Sequence, residues 1–116
     1  MRFCFTFRPR FSSAVKAAFL DRDGVINVDY AYVHSRENFH FIPGALEGAA
    51  ELVRKGHQLI IVTNQSGIGR GKYSIDQFRE LTFWLAGVFA RNHAPLSAVY
   101  FCPHHPTHAF APYLKD

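Results

Sequence analysis

Two carboxylates two residues apart, Asp21 and Asp23, stand in Asp21-Arg22-Asp23-Gly24 directly after the apolar run Ala17-Ala18-Phe19-Leu20. A short buried strand that ends in acids is how open α/β sheets present chemistry, at the carboxyl ends of their strands. The pair is a phosphoryl-transfer signature. About forty residues on, Leu59-Ile60-Ile61-Val62 is a second continuous apolar run, and it ends in Thr63-Asn64-Gln65-Ser66-Gly67. Those hydroxyl, amide and glycine donors suit an oxyanion or a phosphate. A third run, Ala98-Val99-Tyr100-Phe101, ends in Cys102-Pro103-His104-His105.

The elements that must position these groups read as β, loop, α, β, loop, α, β. After the Asp21 loop, Phe39-His40-Phe41-Ile42 leads into Pro43-Gly44, and Leu46, Ala49, Ala50 and Val53 then recur at helical spacing. Lys55-Gly56 closes that helix with a cation and a terminal glycine. A second helix is predicted to open at Ser74, with Gln77 completing a capping box, and to carry Phe78, Leu81, Leu85, Val88 and Phe89 on one side. Trp84 is read as core. Strands separated by helices predict a parallel sheet with right-handed crossovers.

At 116 residues and 48% hydrophobic content, the chain holds one domain at most. Its formal charge of +4 is carried by Arg2, Arg8, Arg10 and Lys16, and the body from Ala17 onward is electroneutral. A nucleic-acid partner would therefore rest on the arm alone, with arginines on phosphates and Phe3, Phe5, Phe7 and Phe11 stacking on bases. The first fifteen residues lack the uninterrupted apolar stretch of a secretory signal or a membrane span. They are read as a basic, aromatic extension outside the domain, although the Phe3, Phe5, Phe7 alternation also fits an edge strand. The two cysteines, Cys4 and Cys102, imply no disulfide framework, so a cytoplasmic setting is expected.

Taken together, Phe19-Leu20-Asp21-Arg22-Asp23-Gly24, Ile26-Asn27-Val28-Asp29, Tyr32-Val33-His34, Val62-Thr63-Asn64-Gln65-Ser66-Gly67-Ile68, Arg70-Gly71-Lys72 and Cys102-Pro103-His104-His105-Pro106 resemble the heptose 1,7-bisphosphate phosphatases of the haloacid dehalogenase-like superfamily. The resemblance runs from about Lys16 to Pro106. Histidinol-phosphate phosphatases are similar in the same motifs. The fold this implies is a Rossmannoid parallel sheet with flanking helices over residues 16–116, the N-terminal part of such a domain.

The resemblance also implies roles. Asp21 would attack phosphorus and form an aspartyl-phosphate. Asp23 would protonate the departing sugar oxygen and later deprotonate the attacking water. Mg²⁺ would be held by Asp21 and the main-chain carbonyl of Asp23. Arg22, Asp29, Tyr30, Ala31, Tyr32, Thr63, Asn64, Gln65 and Ser66 match the substrate-contacting stretches, Thr63 and the Asn64 backbone holding the phosphoryl oxygens. Cys102 and His104 match half of a structural Zn²⁺ site, with His105, His108 or His40 as candidate substitutes for the Cys-x-Cys pair that completes it in the family. That pair, an Arg-Lys-Pro segment and a Gly-Asp segment follow in the family and are not in this sequence, which leaves one edge of the Asp21 strand open. Val25 stands where the family usually has threonine. The implied partner is a sugar phosphate, the implied pathway supplies heptose to lipopolysaccharide, and the expected state is a monomer.

Overall fold

The computed structural model describes residues 3–7 and 16–104. Four strands form one sheet: β1 (Cys4–Thr6), β2 (Lys16–Leu20), β3 (His57–Asn64) and β4 (Leu96–Cys102). Their spatial order is β1-β4-β3-β2, with β2, β3 and β4 parallel and β1 antiparallel to β4. Register pairs Leu20 with Ile61 and Asn64 with Cys102, so the chemistry-bearing ends of all three parallel strands lie on the same side of the sheet.

Helices α1 (Ala45–Arg54), α2 (Ser66–Gly69) and α3 (Ile75–Arg91) make the crossovers, with a short 3-10 turn at Arg36–Asn38. The sequence signals for α1 and α3 are realised. Gly44 and Gly56 bracket α1 with φ of 86° and 91°, backbone that a side chain would strain. At the start of α3, Gln77 N donates to Ser74 Oγ at 3.0 Å while Ser74 N donates to Gln77 Oε1 at 2.8 Å, both halves of the capping box. The single turn α2 had no separate signal, because it lies inside the donor cluster that follows β3.

Leu59, Ile61, Phe78, Leu85, Phe89 and Val99 are almost completely enclosed, and Leu46, Ala50 and Val53 pack on them from α1. Trp84 is half-buried, edge-on to Phe39 at 5.6 Å between ring centroids. The opposite face of the sheet is different. Pairing places Val62 beside Tyr100 and, two residues along β3, Ile60 beside Phe19, so these side chains share that face. Phe19 is 68% exposed, and Val62 and Tyr100 are also exposed. Among the described residues β2 has no neighbour on its outer side, which is the open edge expected from the sequence.

Of the two readings of the first fifteen residues, extension or edge strand, the edge strand holds over Cys4–Thr6. There the chain is the edge strand β1, with Cys4 opposite Tyr100 and Thr6 opposite Ala98. The cause is aromatic burial. Phe5 stacks on Phe101 at 5.4 Å and on Phe78 at 6.1 Å, Phe3 meets Phe101 edge-on at 5.5 Å, and Phe7 meets Phe83 at 5.6 Å. Rings engaged in this way are not displayed for stacking on bases. Deleting residues 1–15 removes the three partly buried rings of Phe3, Phe5 and Phe7 and is expected to cost on the order of 3 kcal/mol. A lowered urea midpoint would show this, and an unchanged midpoint would make β1 dispensable.

Candidate active site

The site is built on the loops that leave β2 and β3. Asp21 is the first residue beyond β2, with its side chain exposed. Its Oδ1 accepts the main-chain N–H of Arg22 at 2.8 Å, and Oδ2 has no hydrogen-bond partner among the described residues. A tight turn follows. The N–H groups of Val25, Ile26 and Asn27 all point to the Arg22 carbonyl, at 3.2, 2.8 and 3.2 Å, and Gly24 takes φ of 89°.

Asp23 is held from three directions. Arg22 Nη2 donates to its Oδ1 at 3.0 Å and Asn27 Nδ2 donates to the same oxygen at 2.9 Å. Gln65 Nε2 donates to Oδ2 at 3.2 Å, joining the β3 loop to the β2 loop. Oδ1 is therefore saturated, while Oδ2 has one donor and a lone pair to spare.

Two of the expected substrate-contact residues, Arg22 and Gln65, turn their side chains into the fold. Arg22 is 2% exposed, and its guanidinium points inward: Nη2 also donates to the Val33 carbonyl at 2.8 Å, and the group lies 5.6 and 5.9 Å from the ring centres of Phe39 and Phe78. Its side chain braces Asp23 from below. Gln65 is also 2% exposed, and its amide is used internally, donating to Asp23 Oδ2 and, at 3.0 Å, to Thr63 Oγ1. Motif position does not tell which way a side chain turns.

The other substrate candidates lie at the surface or beside it. Thr63 is buried, its hydroxyl accepting from Gln65 and keeping its own proton to donate, while Asn64 is exposed and Ser66 half-exposed. Asp29, Tyr30, Ala31 and Tyr32 form an exposed loop. Its sharp form comes from Ala31 and Tyr32, both left-handed at φ of 64° and 55°, and Asp29 Oδ1 accepts the Ala31 N–H at 3.0 Å to hold the bend. Tyr32 is pinned against the β3 side by Arg70, which donates to its hydroxyl. Gly67 allows that approach, since a Cβ there would lie 2.8 Å from Tyr32 Cδ1 and 2.4 Å from Tyr73 Cε1.

Three residues of this network were not singled out by the sequence reading as site residues. Asn27 and Arg70 stood only within the motif string, and Tyr73 carried no signal at all. Tyr73 is 5% exposed and its hydroxyl donates to Gln65 Oε1.

Cys102 and His104 close β4. The Cys102 thiol is free and exposed, and its carbonyl accepts the Gln65 N–H at 2.8 Å. Two donors fall short of the four a structural zinc takes. Among the described residues no three His, Cys, Asp or Glu side chains converge as a metal site. His105 and His108 lie outside the described residues, and the His40 ring meets Tyr30, whose hydroxyl is 3.0 Å from His40 Nδ1. No helix among the described residues is long and apolar enough to cross a membrane.

No protein-family model matches the chain. Individual proteins do. It is 50% identical over 103 residues to the D-glycero-beta-D-manno-heptose-1,7-bisphosphate 7-phosphatase of Vibrio cholerae, a match covering 89% of this chain and 55% of that protein. It is also 50% identical over 95 residues to the Escherichia coli K12 protein of that name, covering 82% and 50%. A solved structure of D,D-heptose 1.7-bisphosphate phosphatase from B. bronchiseptica, complexed with magnesium and phosphate, superposes with a TM-score of 0.76 at 32% identity, over 84% of this chain and 55% of that one. The chain spans about half the length of the curated relatives it matches.

The donors at the β2 end suit a small hard cation. Asp21 offers an exposed carboxylate oxygen, and Asp23, whose Oδ1 is taken up by N–H donors, can add its main-chain carbonyl. Mg²⁺ is commonly bound in this way, through one or two protein oxygens with water and phosphate completing its shell.

Proposed function

We propose, because by its fold this chain belongs with the haloacid dehalogenase-like phosphatases, that it forms the nucleophile-bearing part of a phosphomonoester hydrolase acting on a heptose 1,7-bisphosphate. The observation that carries this reading is the unequal treatment of two neighbouring carboxylates: Asp21, at the strand end, has one oxygen without a partner among the described residues, while Asp23 is anchored by Arg22, Asn27 and Gln65. Half-identity with two heptose bisphosphate phosphatases supports the substrate class.

Asp21 is the nucleophile. Its free oxygen forms a bond to phosphorus as the bond from phosphorus to the sugar oxygen breaks, giving an aspartyl-phosphate. Asp23 passes a proton from Oδ2, its less occupied oxygen, to the departing sugar oxygen. It then takes a proton from the water that hydrolyses the intermediate. The Thr63 hydroxyl, the Asn64 main chain and Ser66 receive the phosphoryl oxygens, and the Asp29–Tyr32 loop meets the sugar. Mg²⁺, held by Asp21 and the Asp23 carbonyl, would supply positive charge against the phosphate as it accumulates negative charge. Two free thiols accord with a cytoplasmic setting, and the product accords with supply of heptose for lipopolysaccharide.

The test is phosphate release by the native chain from a heptose 1,7-bisphosphate and from histidinol phosphate, with Mg²⁺ and after chelation. Release from the bisphosphate, lost on chelation and faster than from histidinol phosphate, is expected. Faster release from histidinol phosphate would reassign the substrate. No release from either would leave a non-catalytic remnant as the better account.

A further inference from the structure

Gln65 can hold Asp23 only in one of its two amide orientations. With Nε2 toward Asp23, the amide donates to Oδ2 and to Thr63 Oγ1. Rotated by half a turn, it would press Oε1 against a carboxylate oxygen, acceptor against acceptor. A side chain that fixes this choice would fix the oxygen through which Asp23 moves its proton.

We propose that Tyr73 is a positioning residue that sets the Gln65 amide, and through it Asp23 Oδ2, for proton transfer. Its hydroxyl donates to Gln65 Oε1 from within the fold, where both side chains are buried. A hydroxyl that gives its hydrogen to Oε1 labels that atom as the acceptor and turns Nε2 toward Asp23. Burial pushes the Tyr73 phenol far up from its usual range, with the Arg22 charge opposing in part, so the group remains a protonated donor at working pH.

The ring is held as firmly as its hydroxyl. His34 stacks on it at 5.1 Å with the planes 8° apart. On another side Gly67 leaves space that a single methyl group would fill, its Cβ falling 2.4 Å from Tyr73 Cε1. The sequence separation of Tyr73, Gln65 and Asp23 hides the chain of contacts, which appears only when α2 folds the Gly67 turn under Tyr73.

The catalytic consequence rests on the phosphatase reading; the contact does not. The experiment therefore has two readouts on Tyr73→Phe, a substitution that keeps the ring and removes the hydroxyl. With glutamine side chains labelled with ¹⁵N, the Gln65 amide protons should exchange with solvent at least about tenfold faster than in the native chain. In Mg²⁺-dependent phosphate release kcat should fall about three- to tenfold, the worth of one ordinary hydrogen bond, with KM within about twofold. Gly67→Ala, which displaces the ring without removing the hydroxyl, should reproduce both changes. An unchanged Gln65 amide in Tyr73→Phe would overturn the proposal whatever the rate, and so would a freed amide with unchanged kcat. A native chain without phosphatase activity would refute the phosphatase reading and leave the amide exchange to decide the contact.

Discussion

Asp21→Asn is expected to abolish Mg²⁺-dependent phosphate release, by about 10⁴-fold or more, while leaving the fold intact. An amide has no anionic oxygen with which to attack phosphorus, so the covalent intermediate cannot form, and loss of a nucleophile costs about as much as loss of the whole catalytic group it belongs to. The neutral side chain also gives up its charge toward a bound cation. Structure should hardly notice. Asp21 is exposed, and asparagine can still accept the Arg22 N–H through Oδ1, so the unfolding free energy should change by no more than about 0.5 kcal/mol. Acid-quenched labelling with ³²P-substrate reads the intermediate directly. Asp23→Asn should behave in the opposite way, still accepting phosphate but turning over about 10²- to 10⁴-fold more slowly. It should also lose on the order of 2 kcal/mol of stability, because Arg22 stays buried without its counter-charge. Release that survives Asp21→Asn would reject the mechanism.

The largest effect on stability is expected from Phe78→Ala. Phe78 is wholly buried, its ring centre 4.5 Å from that of Phe101 and 6.1 Å from that of Phe5, with the Arg22 guanidinium 5.9 Å above it. The ring therefore joins α3, β4 and β1 and forms the floor beneath the Asp23 brace. Its truncation leaves a cavity and should cost about 3–5 kcal/mol. A small domain is stable by only about 5–15 kcal/mol in all. Phe78→Leu, which keeps most of the volume, should cost less than half as much. Guanidinium titration of the two variants decides this, since a common midpoint would mean that the ring is not the floor described here.

Most of the framework was legible in the sequence because it is written in local patterns. The apolar runs at Ala17–Leu20, Leu59–Val62 and Ala98–Phe101 became β2, β3 and β4, and the Ser74–Gln77 capping box became the start of α3. What was not legible depends on contacts between distant residues. The Phe3, Phe5, Phe7 alternation allowed β1 as an edge strand, but the free edge of β4 and the rings of Phe78 and Phe101 that receive Phe5 are not visible within residues 1–15. Arg22 and Gln65 belong to the right motifs but turn inward, because Asp23 needs donors more than the surface does. Tyr73 could not have been found without the turn at Gly67 that brings it under Gln65.

β1 sets a timetable for the folding chain. During synthesis it leaves the ribosome long before its partner strand, since Cys4 pairs with Tyr100, nearly the last described residue to be made. At roughly 5–20 residues per second, about 5–20 s separate the two ends. Throughout that interval Phe3, Phe5 and Phe7 have no strand to close against, and the sheet is sealed from its newest strand back to its oldest.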